Sequence, residues 1–404
     1  MKKFSLFSVY FTTCIDSLSW SIVFPIFAPL FIHLNGTLFP PEVSIASRAT
    51  ALGFFLMAFS LGQFFGAPII GAYADSRGRK KALLVTVFMT FCGLALTAWS
   101  VQTEDLALLF AGRLLTGIFA ANMSICLACV ADLSEHDGQK TKRYGHLSVI
   151  VGLSFVLGAF LGGKFSDSSV NVLFSPQLPL WIATGLTFLN FLFIFFGFQE
   201  TNLDQKHSDF TLLNSVNNIK IALKTDKIKA IYCLYFLFFF AWTILFQFTP
   251  VLMVRSFEFT SSSIGDLALF MGICWAIGSS FLKRFLLHIF SLTRVFETAL
   301  LVFTALCIWL IFANHVYVVL SIVAGCIMIG GVLWPLCNGL ISDAAPKGMQ
   351  GKLLGMSQSV QSLAMTIAPA VAGIAYQAFP GFPFLVSAVA SLLAGILYFS
   401  LKGR

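Results

Sequence analysis

Charge is scarce in this sequence: only 10% of its 404 residues are Asp, Glu, Lys or Arg, where soluble domains carry roughly a quarter. A chain so poor in charge cannot face water over most of its length. Its net charge of +8 does not make it a nucleic-acid binder, because the cations sit in short loops between apolar runs and form no continuous basic face. The phosphate-cradling pattern Gly-x-x-x-x-Gly-Lys-[Ser/Thr] is missing, so there is no sign of ATP as a direct energy source. No metal cluster and no catalytic triad appears, so neither an enzyme nor a bound metal or other cofactor is expected. The apolar segments lack the alternation of a membrane β-barrel. A cleavable leader is not expected either, since the run from Phe7 to Ile32 is too long and lacks a clear small-residue cleavage site.

What the chain has is continuous apolar sequence, with 58% hydrophobic residues and 46 Phe. A bilayer core takes about 20 apolar residues per helix. On that measure the sequence holds about twelve spans, from 6–34 at one end to 382–401 at the other. The nine cysteines all fall inside such runs and read as small packing residues. Cys126-Leu-Ala-Cys129 has redox or metal spacing, but it lies in a span with no second pair and no nearby His. The fold class expected is an all-α membrane protein of twelve transmembrane helices in two six-helix pseudo-repeats. Its domains are an N-terminal bundle over 1–198, a polar, Lys-rich cytoplasmic linker over 199–228, and a C-terminal bundle over 229–404. A short surface helix is expected near Leu212 to Leu223.

With both termini cytoplasmic, only Arg48, Lys164 and Arg255 of the 25 Lys and Arg fall in external loops, and Arg113 lies within a span. That bias orients the chain. The halves also match internally. Asp132 ends one span, Gly145 opens the next, and Gly163 lies 18 positions beyond it; Asp343, Gly355 and Gly373 repeat the pattern with the same 18-residue step. Parallel repeats of this kind place a substrate site between the halves and allow them to rock.

One polar stretch interrupts the first two long runs: Gly71-Ala-Tyr-Ala-Asp75-Ser-Arg77-Gly78-Arg79-Lys80-Lys81. It reads as a tight basic loop on the cytoplasmic side, in which Gly71 and Gly78 supply backbone conformations that other residues resist. Asp75, Arg79 and Asp132 are expected to meet there as a gate.

The loop resembles the signature Gly-x-x-x-Asp-[Arg/Lys]-x-Gly-[Arg/Lys]-[Arg/Lys] between the second and third helices of the major facilitator superfamily, matched at Gly71, Asp75, Gly78, Arg79 and Lys80. Ser76 stands where a basic residue is usual, with Arg77 beside it. Over the whole chain the sequence is similar to the twelve-helix drug:proton antiporters related to tetracycline efflux proteins. Arg113-Leu-Leu-Thr-Gly117 is similar to the Arg-x-x-x-Gly pattern linked in that family to proton coupling, and Asp16 followed by Pro25 and Pro29 resembles the efflux proteins' first helix. The antiporters' Gly-Pro-x-x-Gly-Gly appears without its proline, as Gly158-Ala159-Phe-Leu-Gly162-Gly163, while Pro369 and Gly373 stand at the matching place in the other half.

The resemblance implies a monomeric, proton-coupled secondary transporter of the inner membrane. It would export a small amphipathic organic compound, with the proton gradient as energy source and lipid as surroundings. Import of a nutrient or siderophore-like metabolite by proton symport is the alternative that Ala159 keeps open, and a non-transporting membrane sensor is a third reading. An intramembrane carboxylate is costly, about 2.5–3.5 kcal/mol at the bilayer centre, so Asp16 should be paired, protonated or in contact with water, and Arg113 is its expected partner. Asp266 and Glu297, near span ends, are expected to face water or loops. By the family's arrangement the cavity would be lined by Trp20, Asn122, Trp242, Gln247, Trp334, Asn338, Gln358 and Gln361, an aromatic and amide set suited to an amphipathic or cationic organic ligand. Gly62/Gly66 and Gly158/Gly162 have the spacing of close helix contacts.

Overall fold

In lipid every backbone polar group must be satisfied within the chain, and continuous apolar runs can do this only as helices. The computed structural model describes residues 2–33, 38–134, 136–202, 226–344 and 350–402. Among them the chain forms α1 (Lys2–Ser21), α2 (Phe24–Ile32), α3 (Ile45–Arg77), α4 (Arg79–Thr103), α5 (Leu106–Ile118), α6 (Asn122–Leu133), α7 (Asp137–Phe165) and α8 (Leu178–Gly197). After the connecting segment come α9 (Asp226–Phe257), α10 (Ser261–Ala276), a π-helix over Ile277–Leu282, α11 (Lys283–Ile289), α12 (Leu292–Ile311), α13 (Val316–Ala344), α14 (Gln350–Ala375) and α15 (Phe382–Lys402). The surface helix expected near Leu212 to Leu223 lies outside the described residues.

Eleven helices among the described residues, counting each broken span once, are long and apolar enough to cross a membrane. The expected twelfth, α14, has 26 residues and so enough length at 1.5 Å per residue, but its Gln, Ser and Lys content keeps it out of that set. Three spans are interrupted. The first is α1 and α2, with Pro25 in the opening turn of α2, where a missing N–H costs nothing. The fourth is α5 and α6, broken at Phe119–Ala121; the eighth is α10, the π-helix and α11.

The chain packs as two units. The first comprises Met1–Pro41, Ala58–Leu212 and Phe259–Leu269; the second comprises Glu42–Met57, Leu213–Glu258 and Phe270–Arg404. In the first, Val9, Ala74, Leu83, Cys126, Cys129, Leu147 and Phe198 belong to a buried cluster beneath the α3–α4 turn, so both cysteines of the CxxC pair are packing residues there. In the second, α9 is the central helix and the most buried of the eleven spans. Ser387 of α15 donates to the Ala241 carbonyl of α9 at 2.7 Å, and Ser391 donates to Leu300 of α12 at 3.3 Å. Small hydroxyls thus let these helices approach closely and add polar contacts where no water competes.

Candidate transport site

The basic stretch is not a loop. Helix α3 runs through Gly71 and Asp75 to Arg77, and α4 begins at Arg79, so the turn is the single residue Gly78. Its φ of 97° is a region closed to most side chains. Gly71 is an ordinary helical residue, and a Cβ there would meet nothing within 4 Å. The expectation that Gly71 shapes a turn is therefore corrected: a helix already propagating gains a hydrogen bond at each further residue, and Ala-Tyr-Ala-Asp offers no reason to stop.

Placing Asp75 and Arg79 four residues apart on nearly continuous helix brings them together. Arg79 donates from Nη1 to Asp75 Oδ1 at 2.6 Å and from Nε to Asp132 Oδ2 at 3.3 Å. The Arg79 side chain is 12% exposed and Asp75 55%, so the cation is held in the interior and one acid remains wet. Thr201 adds a hydroxyl donor to Asp132 at 3.3 Å, and Asn202 donates to the Asp75 carbonyl at 3.2 Å. The residue that sequence reading missed is Glu200, just beyond α8. Its carboxylate accepts the backbone N–H groups of Arg79 at 2.8 Å and Lys80 at 3.0 Å. These are orphan donors at the positive end of α4, where an anion is favoured. Arg77 is exposed, Lys80 is half-buried, and Ser76 bonds back to the Tyr73 carbonyl.

The half-buried Asp16 accepts a hydrogen bond from Asn122 Nδ2 at 2.7 Å. Arg113, expected as its partner, instead lies over the Phe59 ring at 4.4 Å and the Phe27 ring at 5.6 Å, and is buried at 9% exposure. The reason is axial distance. Arg113 and Asn122 are nine residues apart, about 13 Å along a helix, and the break between α5 and α6 lies between them. Gln63 of α3 satisfies that break by donating to the Ala120 carbonyl at 3.1 Å. Gly117 packs against the Phe59 backbone, and Gly62 and Gly66 against residues 114–118, where a Cβ at any of the three would overlap main chain.

The remaining glycines make similar approaches. Gly158 packs on Leu18 and Ser21, Gly162 on the Ile22 carbonyl, and Gly163 on Ser261–Gly265. Pro369 lies inside α14; its carbonyl faces Gly53, and Gly373 packs on Ala49 and Thr50. Thr50 donates to the Gly373 carbonyl at 2.8 Å.

Of the expected cavity residues, Trp20 is exposed and contacts Phe155, with ring centroids 5.4 Å apart. Asn122 is 2% exposed. In the second unit Trp242 and Trp334 both contact Trp275, at 4.8 Å and 5.4 Å between centroids. Trp275 was not anticipated from sequence, since a single Trp in an apolar run looks like any packing residue. Gln361 accepts from the Tyr235 hydroxyl at 3.4 Å. Gln247 and Asn338 are half-buried, Gln358 is exposed, and the buried Gln247 Oε1 has no hydrogen-bond partner among the described residues.

At the opposite end of the first unit from Gly78, Lys164 pairs with Asp266 at 2.8 Å and with Ser262 Oγ at 2.8 Å. Asp266, expected to face water or loops, is 53% exposed and is also ion-paired. Beside it Asp167, 7% exposed, accepts from Ser169 N at 2.9 Å, Ser169 Oγ at 2.6 Å and Ser262 N at 3.1 Å. Burial alone would raise its carboxyl pKa, but the hydrogen bonds from Ser169, Thr260 and Ser262 together hold it below the ordinary Asp value.

The family model for the Major Facilitator Superfamily matches residues 9–295 and 231–404. The chain is similar to the class H tetracycline resistance protein of Pasteurella multocida, 24% identical over 378 residues covering 92% of this chain and 89% of that one. It is also similar to the class D tetracycline resistance protein of Salmonella ordonez, 27% identical over 369 residues covering 88% and 86%. Among solved structures, the human organic anion transporter MFSD10 superposes with a TM-score of 0.70 at 21% identity over 98% of this chain and 99% of that one. A D-xylose-proton symporter reaches 0.76 at 15% identity over 99% of both. At such identities the superpositions speak for the fold alone.

Proposed function

This chain belongs to the Major Facilitator Superfamily, and from that premise we propose that it is a proton-coupled secondary transporter that exports a small amphipathic organic compound. One observation carries the reading: Asp16, in the first span, is held by a neutral amide, Asn122, at 2.7 Å. A carboxylate fixed by a cation would stay ionised. One held by an amide can lose or gain a proton without leaving a buried counter-charge, which is what a carrier coupling proton entry to substrate exit requires. The similarity to tetracycline resistance proteins supports the export direction. The Asp75–Arg79–Asp132 cluster supplies a gate that breaks and re-forms as the halves rock. The setting is the inner membrane, with both termini cytoplasmic, the protein monomeric, and the proton gradient as the energy source.

Import by proton symport is the second reading, favoured by Ala159 standing where the antiporters carry proline. The test is the purified protein in liposomes with an internal pH dye, an imposed proton gradient and a panel of organic substrates. Antiport appears as proton movement opposite to substrate, and co-directional movement establishes import. Asp16→Asn is expected to reduce uphill transport to the level of empty liposomes while leaving downhill exchange measurable. Uphill transport by Asp16→Asn at the wild-type rate would remove Asp16 as the proton carrier.

A further inference from the structure

Span four breaks at Phe119–Ala121 with neither a Pro nor a capping side chain to explain it. Helix α6 starts after Ala121, which makes no side-chain cap bond, and Ala is a poor N-cap. The hydrogen bonds show where the ladder fails. Ser124 N–H donates to the Ala121 carbonyl at 3.1 Å, so the carbonyl of Ala120, four residues before Ser124, is passed over by the α6 ladder. A carbonyl left open inside a membrane is costly, and Gln63 Nε2 on α3 donates to it at 3.1 Å. Gly62 and Gly66, close by on α3, pack against the backbone of residues 114–118. That contact brings the Gln63 amide within reach of the break.

The break decides where Asn122 stands, because Asn122 is the first residue of α6. Its side chain is 2% exposed and donates from Nδ2 to Asp16 at 2.7 Å. Its Oδ1 is buried with no hydrogen-bond partner among the described residues. An amide held at one end only does not fix its own position, so its aim at Asp16 is set by the backbone at the start of α6. The other helices packed on α1 supply no second donor. Helix α6 adds the Cys126 thiol, which interacts electrostatically with Asp16. Helix α7 sets Ser154 on Cys14 and His146 on Tyr10, and α8 sets Asn190 on Thr12 and Thr187 on Ser19. Among the described residues the Asn122 amide is the hydrogen-bond donor to Asp16.

We infer that Gln63 is a positioning residue for the proton site: by holding the Ala120 carbonyl it keeps span four broken and keeps the Asn122 amide on Asp16. This rests on the reading of Asp16 as the proton carrier and adds a residue that sets its proton affinity from a third helix. Without the Gln63 amide, the Ala120 carbonyl recovers a donor by taking Ser124 N–H as its regular helical partner. The first turn of α6 then rewinds, Asn122 turns off Asp16, and the ionised acid loses its donor. Helix α3 also carries Asp75, 12 residues beyond Gln63 and about 18 Å along the axis. One helix thus joins the proton site to the Asp75–Arg79–Asp132 cluster.

The test needs no substrate. Full-length protein in detergent is titrated in weakly buffered solution with a pH-indicator dye, and each form is paired with the same form carrying Asp16→Asn. The difference cancels Tyr10, Cys14, Cys126, His146 and every other titrating group and leaves the proton held by Asp16. Gln63→Met keeps the length of the side chain and removes its amide. It is expected to move the midpoint to higher pH, a gain of about tenfold in proton affinity, since a hydrogen bond to a charged group is worth about that much. Gln63→Leu, a second amide-free variant, should shift alike. Asn122→Ala should shift at least as far, and Gln63→Met combined with Asn122→Ala no further than Asn122→Ala alone. A role in packing alone would lower the melting temperature and leave the midpoint where it is in wild type. Wild-type midpoints in both Gln63 variants, or shifts that add in the double variant, overturn the assignment. A wild type with no Asp16-dependent proton removes the carrier reading, and the role of Gln63 with it.

Discussion

Asp167 follows the last turn of α7, in a stretch that polarity alone would assign to solvent, yet it is 7% exposed and accepts three hydrogen bonds from Ser169 and Ser262. Because these bonds favour the ionised form, the folded pKa lies below the unfolded value of about 3.9. The stability it contributes is therefore complete above the unfolded value and disappears as pH falls through the folded one. Asp167→Asn is expected to cost about 1–2 kcal/mol at pH 7, seen as a lower melting temperature in detergent. The gap from wild type should hold down to about pH 5 and close below about pH 4. A gap that stays constant to pH 3 would show that the ionised form is not what stabilises. Legibility in sequence divides at this scale between local and distant partners. Asp75 and Arg79 could be paired by counting four residues along a helix. Asn122 as the partner of Asp16, Glu200 as the clamp on α4, and Asp167 on the Ser262 amide all depend on where separate helices lie, and Trp275 carried no periodic signal that set it apart from packing.

At the scale of elements, the single-residue turn decides how α3 passes into α4. Gly78 at φ 97° has no equivalent among side-chain-bearing residues, so Gly78→Ala is expected to cost about 1–2 kcal/mol. Gly71→Ala, inside a helix and with open space around its Cβ position, should be neutral or slightly stabilising. Thermal unfolding of the two variants side by side checks this, and equal losses would mean that the turn is not where the strain would fall. The helices and most of their ends are legible in the sequence because apolar runs of bilayer length have no other stable form. The polarity of 71–77 resembles a turn, whereas α3 continues until a glycine permits reversal. The breaks inside spans one, four and eight have no such signal: the break at 119–121 is satisfied by a distant partner, Gln63, and the π-helix packs through Gly278 on Met328.

At the scale of the whole molecule, membership of a transporter superfamily and the distribution of Lys and Arg fix an expected orientation, which single cysteines can test. Val172, 92% exposed between α7 and α8, and Arg77, exposed at the end of α3, should lie on opposite sides of the membrane. In intact cells a membrane-impermeant maleimide is expected to label Val172→Cys above the parent protein, and Arg77→Cys only after permeabilisation. The reverse pattern would invert the topology and with it the direction of transport.

The indole cluster also gives the molecule an optical property. Indoles with centroids 4.8 Å and 5.4 Å apart do not absorb as independent chromophores: their transition dipoles couple, and excitation entering one is shared with the other two. The far-ultraviolet circular dichroism of this protein is therefore expected to carry an exciton couplet from the second unit beside the helix signal, with Trp20, Trp99, Trp181 and Trp309 contributing separately. Whatever shifts one ring, such as a rotation of α13, changes the spectrum of the others, so the native protein reports its own rearrangements in light without an added dye.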